Sequence, residues 1–149
     1  MTTGPISIVL ADDNNLEHLL FVQILKEMQH VSCKHARDGC ELMSMLTEGD
    51  RDLPHLVFLN IQMPVKDGME CLSEIRQNET LAALPVIIYS TSEELTQINN
   101  TYILGADLYL KKPLDFNELE ESVIWIITHY VHKGIPRMNR EDFVFYLKK

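Results

Sequence analysis

Four places along the chain carry side chains that could do chemistry together: Asp12 and Asp13, Asn60, Ser90 and Thr91, and Lys111 and Lys112 before Pro113. Two adjacent carboxylates suit magnesium, a hard cation that takes oxygen ligands and usually only one or two carboxylates. A hydroxyl and an ammonium on the other side, Ser90 and Lys112, have the types that hold phosphoryl oxygens while charge develops during in-line transfer. The chemistry suggested is phosphoryl transfer to a carboxylate, assisted by a divalent cation. Asn60 stands among these groups in the stretch HLVFLNIQMPVKDG, residues 55–68, and it is an amide.

Each residue taken singly also has a plainer role. Asp12 or Asp13 could cap a helix, because a carboxylate there accepts from free backbone N–H groups and favours the dipole. Ser90 could bond its own backbone, and Lys112 could be ordinary surface charge. What favours a site is their common position. Short runs rich in β-branched and aliphatic residues read as strands: residues 6–11, 31–36, 55–60, 85–90 and 107–112. Four of these runs end in the polar groups above, and in an open α/β sheet ligands gather at the carboxyl ends of the strands.

Between the runs lie segments with helical spacing. Leu16, Leu20 and Ile24 share one face of the first; others cover Leu42 to Leu46, Met69 to Ile75, Leu95 to Leu104, and a last one with Leu119, Val123, Ile126, Ile127 and Tyr130. Strand and helix alternate five times, and the nearly all-apolar first and third strands suit a parallel sheet buried on both faces. The pattern predicts a doubly wound α/β sheet in residues 1–132, with residues 133–149 as a tail that folds back on the domain or serves for docking. Phe143, Phe145, Tyr146 and Leu147 make that tail unusually apolar.

Composition narrows the function further. The 149 residues are 46% hydrophobic, enough for one core. A net charge of −9, from 22 acidic and 13 basic side chains, disfavours nucleic acid as a partner. Cys33, Cys40 and Cys71 form no C-x-x-C pair, which argues against a disulfide framework or zinc knuckle and for a reducing cytoplasm. The apolar run near the N-terminus stops at the aspartates, too short for a signal peptide or membrane span. His129 and His132 lie one helical turn apart, but favourable charge at a helix C-terminus explains them better than a metal pair.

The pieces VLADDN, LVFLNIQMPVKDG, PVIIYSTS and GADLYLKKPLD, in this order and spacing, resemble the receiver domain of two-component response regulators over residues 6 to about 130. The resemblance implies a flavodoxin-like, CheY-like (βα)5 fold with strand order 2-1-3-4-5. It also implies that the chain is not an enzyme in its own right, and that a histidine kinase or phosphotransfer protein phosphorylates an aspartate at the end of strand three. By match, Asp12, Asp13, Asn60 and the backbone carbonyl of Gln62 surround Mg2+, and Lys112 binds phosphate. Ser90 is the switch hydroxyl, Tyr109 is the aromatic that swings inward, and the Lys112–Pro113 bond is cis. Thr91 is bulkier than the Ala or Gly usual there.

Asn60 departs from the family by occupying the phosphoacceptor position. It has no anionic oxygen to attack phosphorus, so an acyl phosphate cannot form on it, and metal affinity should fall. Either Asn60 is natural and the chain is a pseudo-receiver or scaffold signalling by contacts alone, or an acceptor aspartate has been replaced. Retention of every other site residue favours recent or engineered loss. With no output domain after the fifth helix, the expected product is a single-domain regulator. It would meet a downstream protein or form a homodimer through helix 4, strand 5 and helix 5. A haloacid-dehalogenase-type phosphatase would need D-x-D where this chain has ADDNN, and a flavodoxin would need a Ser, Thr and Gly-rich loop where it has DDNNLEH.

Overall fold

The apolar runs become the strands of one parallel sheet in a computed structural model that describes residues 4–48, 52–134 and 138–146. In chain order the elements are β1 (Ile6–Ala11), α1 (Asn15–Leu25), β2 (Val31–Ala36), α2 (Gly39–Thr47), β3 (Leu56–Leu59) and α3 (Gly68–Gln77). They are followed by β4 (Val86–Ser90), α4 (Leu95–Leu104), β5 (Leu108–Lys111) and α5 (Phe116–Ile127), and a π-helical turn covers Thr128–His132. The strand order is β2-β1-β3-β4-β5, with every pairing parallel, as the resemblance to receiver domains implies.

Strand residues alternate between two cores because successive side chains point to opposite faces. Val9, Val57, Leu59, Val86 and Ile88 pack under α2, α3 and α4 with Leu42, Leu72 and Ile75. Ile8, Leu10, Phe58, Ile87 and Leu110 pack under α1 and α5 with Phe21, Val123 and Ile126. The edge strand β2 alternates half-buried and exposed residues, which suits a strand with solvent on one side. The first helix turns differently from the spacing expected for it. Phe21, Ile24 and Leu25 are its buried face and Leu16 is 59% exposed, because the bulky Phe21 takes the position against Phe58 and Tyr89.

The starts of α1, α2, α3 and α5 are set by side chains that accept from free backbone N–H groups. Asn14 caps α1 through Leu16 N, Asp38 caps α2 through Glu41 N, Asp67 caps α3 through Glu70 N, and Asp115 caps α5 through Asn117 N. Because Asn14 is the cap of α1, Asp12 and Asp13 are left for other duties. Gly105 ends α4 in the left-handed region at φ 103°, where a side chain would be strained. Arg76 reaches from α3 to the carbonyls of Gly105 (2.8 Å) and Leu84 (2.7 Å) and to Asp107 (2.9 Å), which pins α3 to the starts of β4 and β5.

The β3–α3 loop is strained. Lys66 N donates to Pro64 O (2.8 Å), closing a γ-turn around Val65, a β-branched residue at φ 70°. The turn brings the chain back so that Gly68 N donates to Ile61 O (2.8 Å). A Cβ on Gly68 would lie 2.2 Å from the backbone oxygen of Asn60, so glycine is required there.

Residues 143–145 lie along the free edge of β5. Tyr109 N donates to Phe143 O (2.9 Å) and Phe145 N donates to Tyr109 O (2.8 Å), a short parallel bridge between Tyr109 and Val144. Phe143 is fully buried against Tyr102 of α4 and Tyr109, Phe145 meets Trp125 of α5, and Arg140 donates to Asn99 Oδ1 of α4. Leu147 lies outside the described residues.

Candidate functional site

The carboxyl ends of β1, β3, β4 and β5 meet around a cavity of about 410 Å³, lined by Asp13, Asn60, Gln62, Ser90, Thr91, Ser92, Glu94, Gln97 and Lys112. Sheet order makes this so. β1 and β3 are neighbours, as are β3 with β4 and β4 with β5, so four strand ends open on one rim beside the point where chain direction along the sheet reverses.

Asp12 lies beneath the rim and is fully buried. Its Oδ2 accepts from Lys112 Nζ (2.7 Å), its Oδ1 from the backbone N–H of Asn14 (3.0 Å), and its backbone oxygen from Nε2 of His35 (2.7 Å). The carboxylate is thus paired on both oxygens, as a buried charge must be. Asp13 is exposed at the cavity mouth.

Asn60 is 8% exposed, and its backbone N–H is bound to Ala11 O (2.9 Å). Its amide nitrogen donates to the carbonyl of Gln62 (2.8 Å) and lies 3.5 Å from Asp13 Oδ1. The orientation follows from this bonding pattern, which satisfies N–H donors and leaves no acceptor facing another acceptor. A carboxylate here would face the Gln62 carbonyl with no proton to offer.

Ser90 is buried, and its hydroxyl oxygen accepts from Ser92 N (3.1 Å), so the strand-end bond considered for it is present while the residue also lines the cavity. Thr91 is exposed on the rim. Of the two lysines, Lys111 turns away to pair with Glu93, whereas Lys112 enters the cavity wall with its side chain 13% exposed. The Lys112–Pro113 bond is trans, not cis; the two forms of an X–Pro bond differ by only about 1 kcal/mol, so local packing decides.

Tyr109 is buried with its hydroxyl donating to Ser92 O (2.7 Å), and burial raises its phenol above the ordinary value against the opposing pull of its polar contacts with Ser90 and Ser92. It points inward toward the β4–α4 loop. His129 stacks on Trp125 with ring centroids 3.5 Å apart and its Nδ1 lies 2.9 Å from Trp125 O. Among the described residues no group of three or more His, Cys, Asp or Glu is placed to hold a metal ion, so any cation at the rim would lean on one or two carboxylates and on carbonyl oxygens.

Three residues join the site without having been expected. Glu17 of α1 accepts from the hydroxyl of Tyr89 (2.5 Å) and lies 3.8 Å from Lys112 Nζ. Tyr89 lies under Lys112, whose Nζ is 5.0 Å from the ring centroid, and burial and then the neighbouring carboxylate push its phenol up. Gln97 lines the cavity, and its buried Oε1 has no hydrogen-bond partner. The one signal in the sequence is Glu17 in the first turn of a helix that follows Asp13.

Comparison with known proteins gives the same picture from an independent direction. Residues 8–124 match the family model of the response regulator receiver domain. The chain is 32% identical over 123 residues to a probable methanogenesis regulatory protein, FilR2, of Methanothrix harundinacea, covering 80% of this chain and 79% of that one. It is 31% identical over 127 residues to the response regulator Rcp1 of Synechocystis, covering 80% of this chain and 84% of that one. The crystal structure of Mn(2+)-bound Rcp1 matches with a TM-score of 0.79 and 28% identity, covering 90% of this chain and all of that one. The phosphorylated cyanobacterial phytochrome response regulator RcpA matches with a TM-score of 0.83 and 28% identity, covering 91% of this chain and all of that one. A shared fold and a family match running from β1 into α5 agree: the chain belongs to the response regulator receiver domains, which are signalling modules of two-component systems and not enzymes.

Proposed function

We propose that this chain is a receiver of a two-component phosphorelay that signals through protein contacts, with Asn60 at the position of the phosphoacceptor aspartate. The observation that carries the reading is that Asp13, Asn60, Ser90 and Lys112 line one cavity, with the buried Asp12 paired to Lys112 beneath it. In this reading Asp12, Asp13 and the Gln62 carbonyl hold Mg2+, Lys112 and Ser90 take phosphoryl oxygens, and Ser90 and Tyr109 report the state of the site. The donor set suits a hard cation, since carboxylate and carbonyl oxygens are what Mg2+ takes. Receiver domains bind Mg2+ as a family, and the bound ion supplies charge neutralisation to phosphoryl oxygens. Asn60 weakens this site twice: it removes one negative charge, and it turns a nitrogen toward the Gln62 carbonyl that the cation needs.

A second reading, a pseudo-receiver or scaffold that signals without phosphorylation, draws support from that same bond, because the amide links Gln62 and Asp13 with no cation required. Receiver domains meet histidine kinases, phosphotransfer proteins and other targets. The partner surface proposed here is the face of α4, β5 and α5, as a site for a downstream protein or a second copy, and residues 138–146 lie on it, so any partner there meets the tail or displaces it. Among the described residues no helix is long and apolar enough to cross a membrane, and three free thiols suit the cytoplasm.

Intact-mass analysis after incubation with Mg2+ and a small phosphodonor, beside an Asn60→Asp variant, tests the reading. The variant gains one phosphoryl group and the unaltered chain gains none. If neither gains one, the phosphorylation-independent reading stands; uptake by the unaltered chain would place the acceptor elsewhere.

A further inference from the structure

An acid in the first turn of a helix ordinarily serves the helix dipole. Glu17 is placed for more than that. Its Oε2 accepts the Tyr89 hydroxyl at 2.5 Å, and its Oε1 lies 3.8 Å from Lys112 Nζ, with only 15% of the side chain exposed. Lys112 Nζ is also 2.7 Å from Asp12 Oδ2 and 5.0 Å from the centre of the Tyr89 ring, and its side chain is 13% exposed.

An ammonium so enclosed needs counter-ions, and the cost of burying it falls on whatever charge is missing. Asn60 lines the same cavity and brings no charge. Asp12 is shared, because its other oxygen is held by Asn14 N. We propose that Glu17, fixed in place by the Tyr89 hydroxyl, is a positioning residue that gives Lys112 the second carboxylate which Asn60 withholds. The tyrosine matters because it orients the carboxylate at no cost in charge and offers its ring face to the ammonium. Glu17 thereby keeps Lys112 at the cavity wall in the resting protein. The proposal rests on the receiver reading only in taking residue 60 as the place where a carboxylate would otherwise stand.

A cycle of variants tests it through thermal melting. Glu17→Gln keeps the shape and an acceptor for Tyr89 but removes the charge. In the chain with Asn60 it lowers the melting temperature by about 3 °C. With Asn60→Asp the drop shrinks to less than half, because Lys112 then has a carboxylate at residue 60; with Lys112→Met it vanishes. Tyr89→Phe, which frees the Glu17 carboxylate but also removes its charge-assisted hydrogen bond, lowers the melting temperature in every background; the part of its drop in excess of that beside Lys112→Met shrinks with Asn60→Asp, and it serves if Glu17→Gln misfolds. Equal drops in all backgrounds would reduce Glu17 to a helix-terminus acid and overturn the proposal, as would the absence of any drop beside Asn60. Phosphoryl uptake by Asn60→Asp is scored separately, so the cycle can hold where the receiver reading fails, and the reverse.

Discussion

A carboxamide and a carboxylate have nearly the same outline, and at residue 60 they differ by one charge and one pair of N–H donors. The amide donates to the Gln62 carbonyl and lies 3.5 Å from Asp13 Oδ1, while Lys112 pairs with Asp12 and lies 3.8 Å from Glu17. Asp12, Asp13, Ser90 and Lys112 were legible in the sequence because each follows an apolar run, and strand ends share a rim. Glu17 and Tyr89 were not, since they meet across 72 positions of sequence and only the seating of α1 on the sheet brings them together. Val65 shows the strain that a single residue can carry. Its left-handed backbone costs about 1–3 kcal/mol for a non-glycine residue, against about 0.5–1 kcal/mol that glycine gives back as unfolded-state freedom. Val65→Gly should therefore stabilise the fold by about 1 kcal/mol, read as a higher denaturant midpoint with an unchanged slope. A lower midpoint would mean that the valine side chain, 81% exposed, contributes more than the turn costs.

The strands were readable as elements because buried parallel strands are continuous apolar runs, and each lies within a residue of its expected limits. Helix faces were less so: α1 has apolar residues nearly all round, so spacing alone could not choose between the Leu16 face and the Phe21 face that the sheet selects. The tail segment is bridged to β5 at one position, and its anchor is Phe143. Truncating a fully buried phenylalanine costs about 3–5 kcal/mol. Phe143→Ala should lower the melting temperature by about 10 °C. It should also speed exchange of the Tyr109 and Phe145 amide protons, since these two bonds cross between β5 and the tail. Unchanged protection of those amides would show that the backbone bridge holds without the ring.

At the scale of the molecule, burial sets the response to alkali. The Cys33 and Cys71 thiols are pushed from 9.0 to about 12 by burial, and the Tyr89 and Tyr130 phenols are raised for the same first reason. Their folded values lie above their unfolded ones, so folding favours the protonated forms. That contribution is complete below about pH 9 and is lost as pH rises from 9 toward 12. Urea midpoints should hold level from about pH 7 to about pH 8.5 and fall steadily above, while alkylation at about pH 8 should mark exposed Cys40 before the other two thiols. A midpoint that stays level to about pH 11 would show that these groups open to solvent in the native state. The bridged tail bears on synthesis as well. The bonds that close the outer edge of β5 come from Phe143 and Phe145, in the last of the described segments to leave the ribosome. Until they arrive, the emerging chain presents an uncovered strand edge beside Tyr109, open to pairing with a neighbouring nascent chain or to capture by a chaperone.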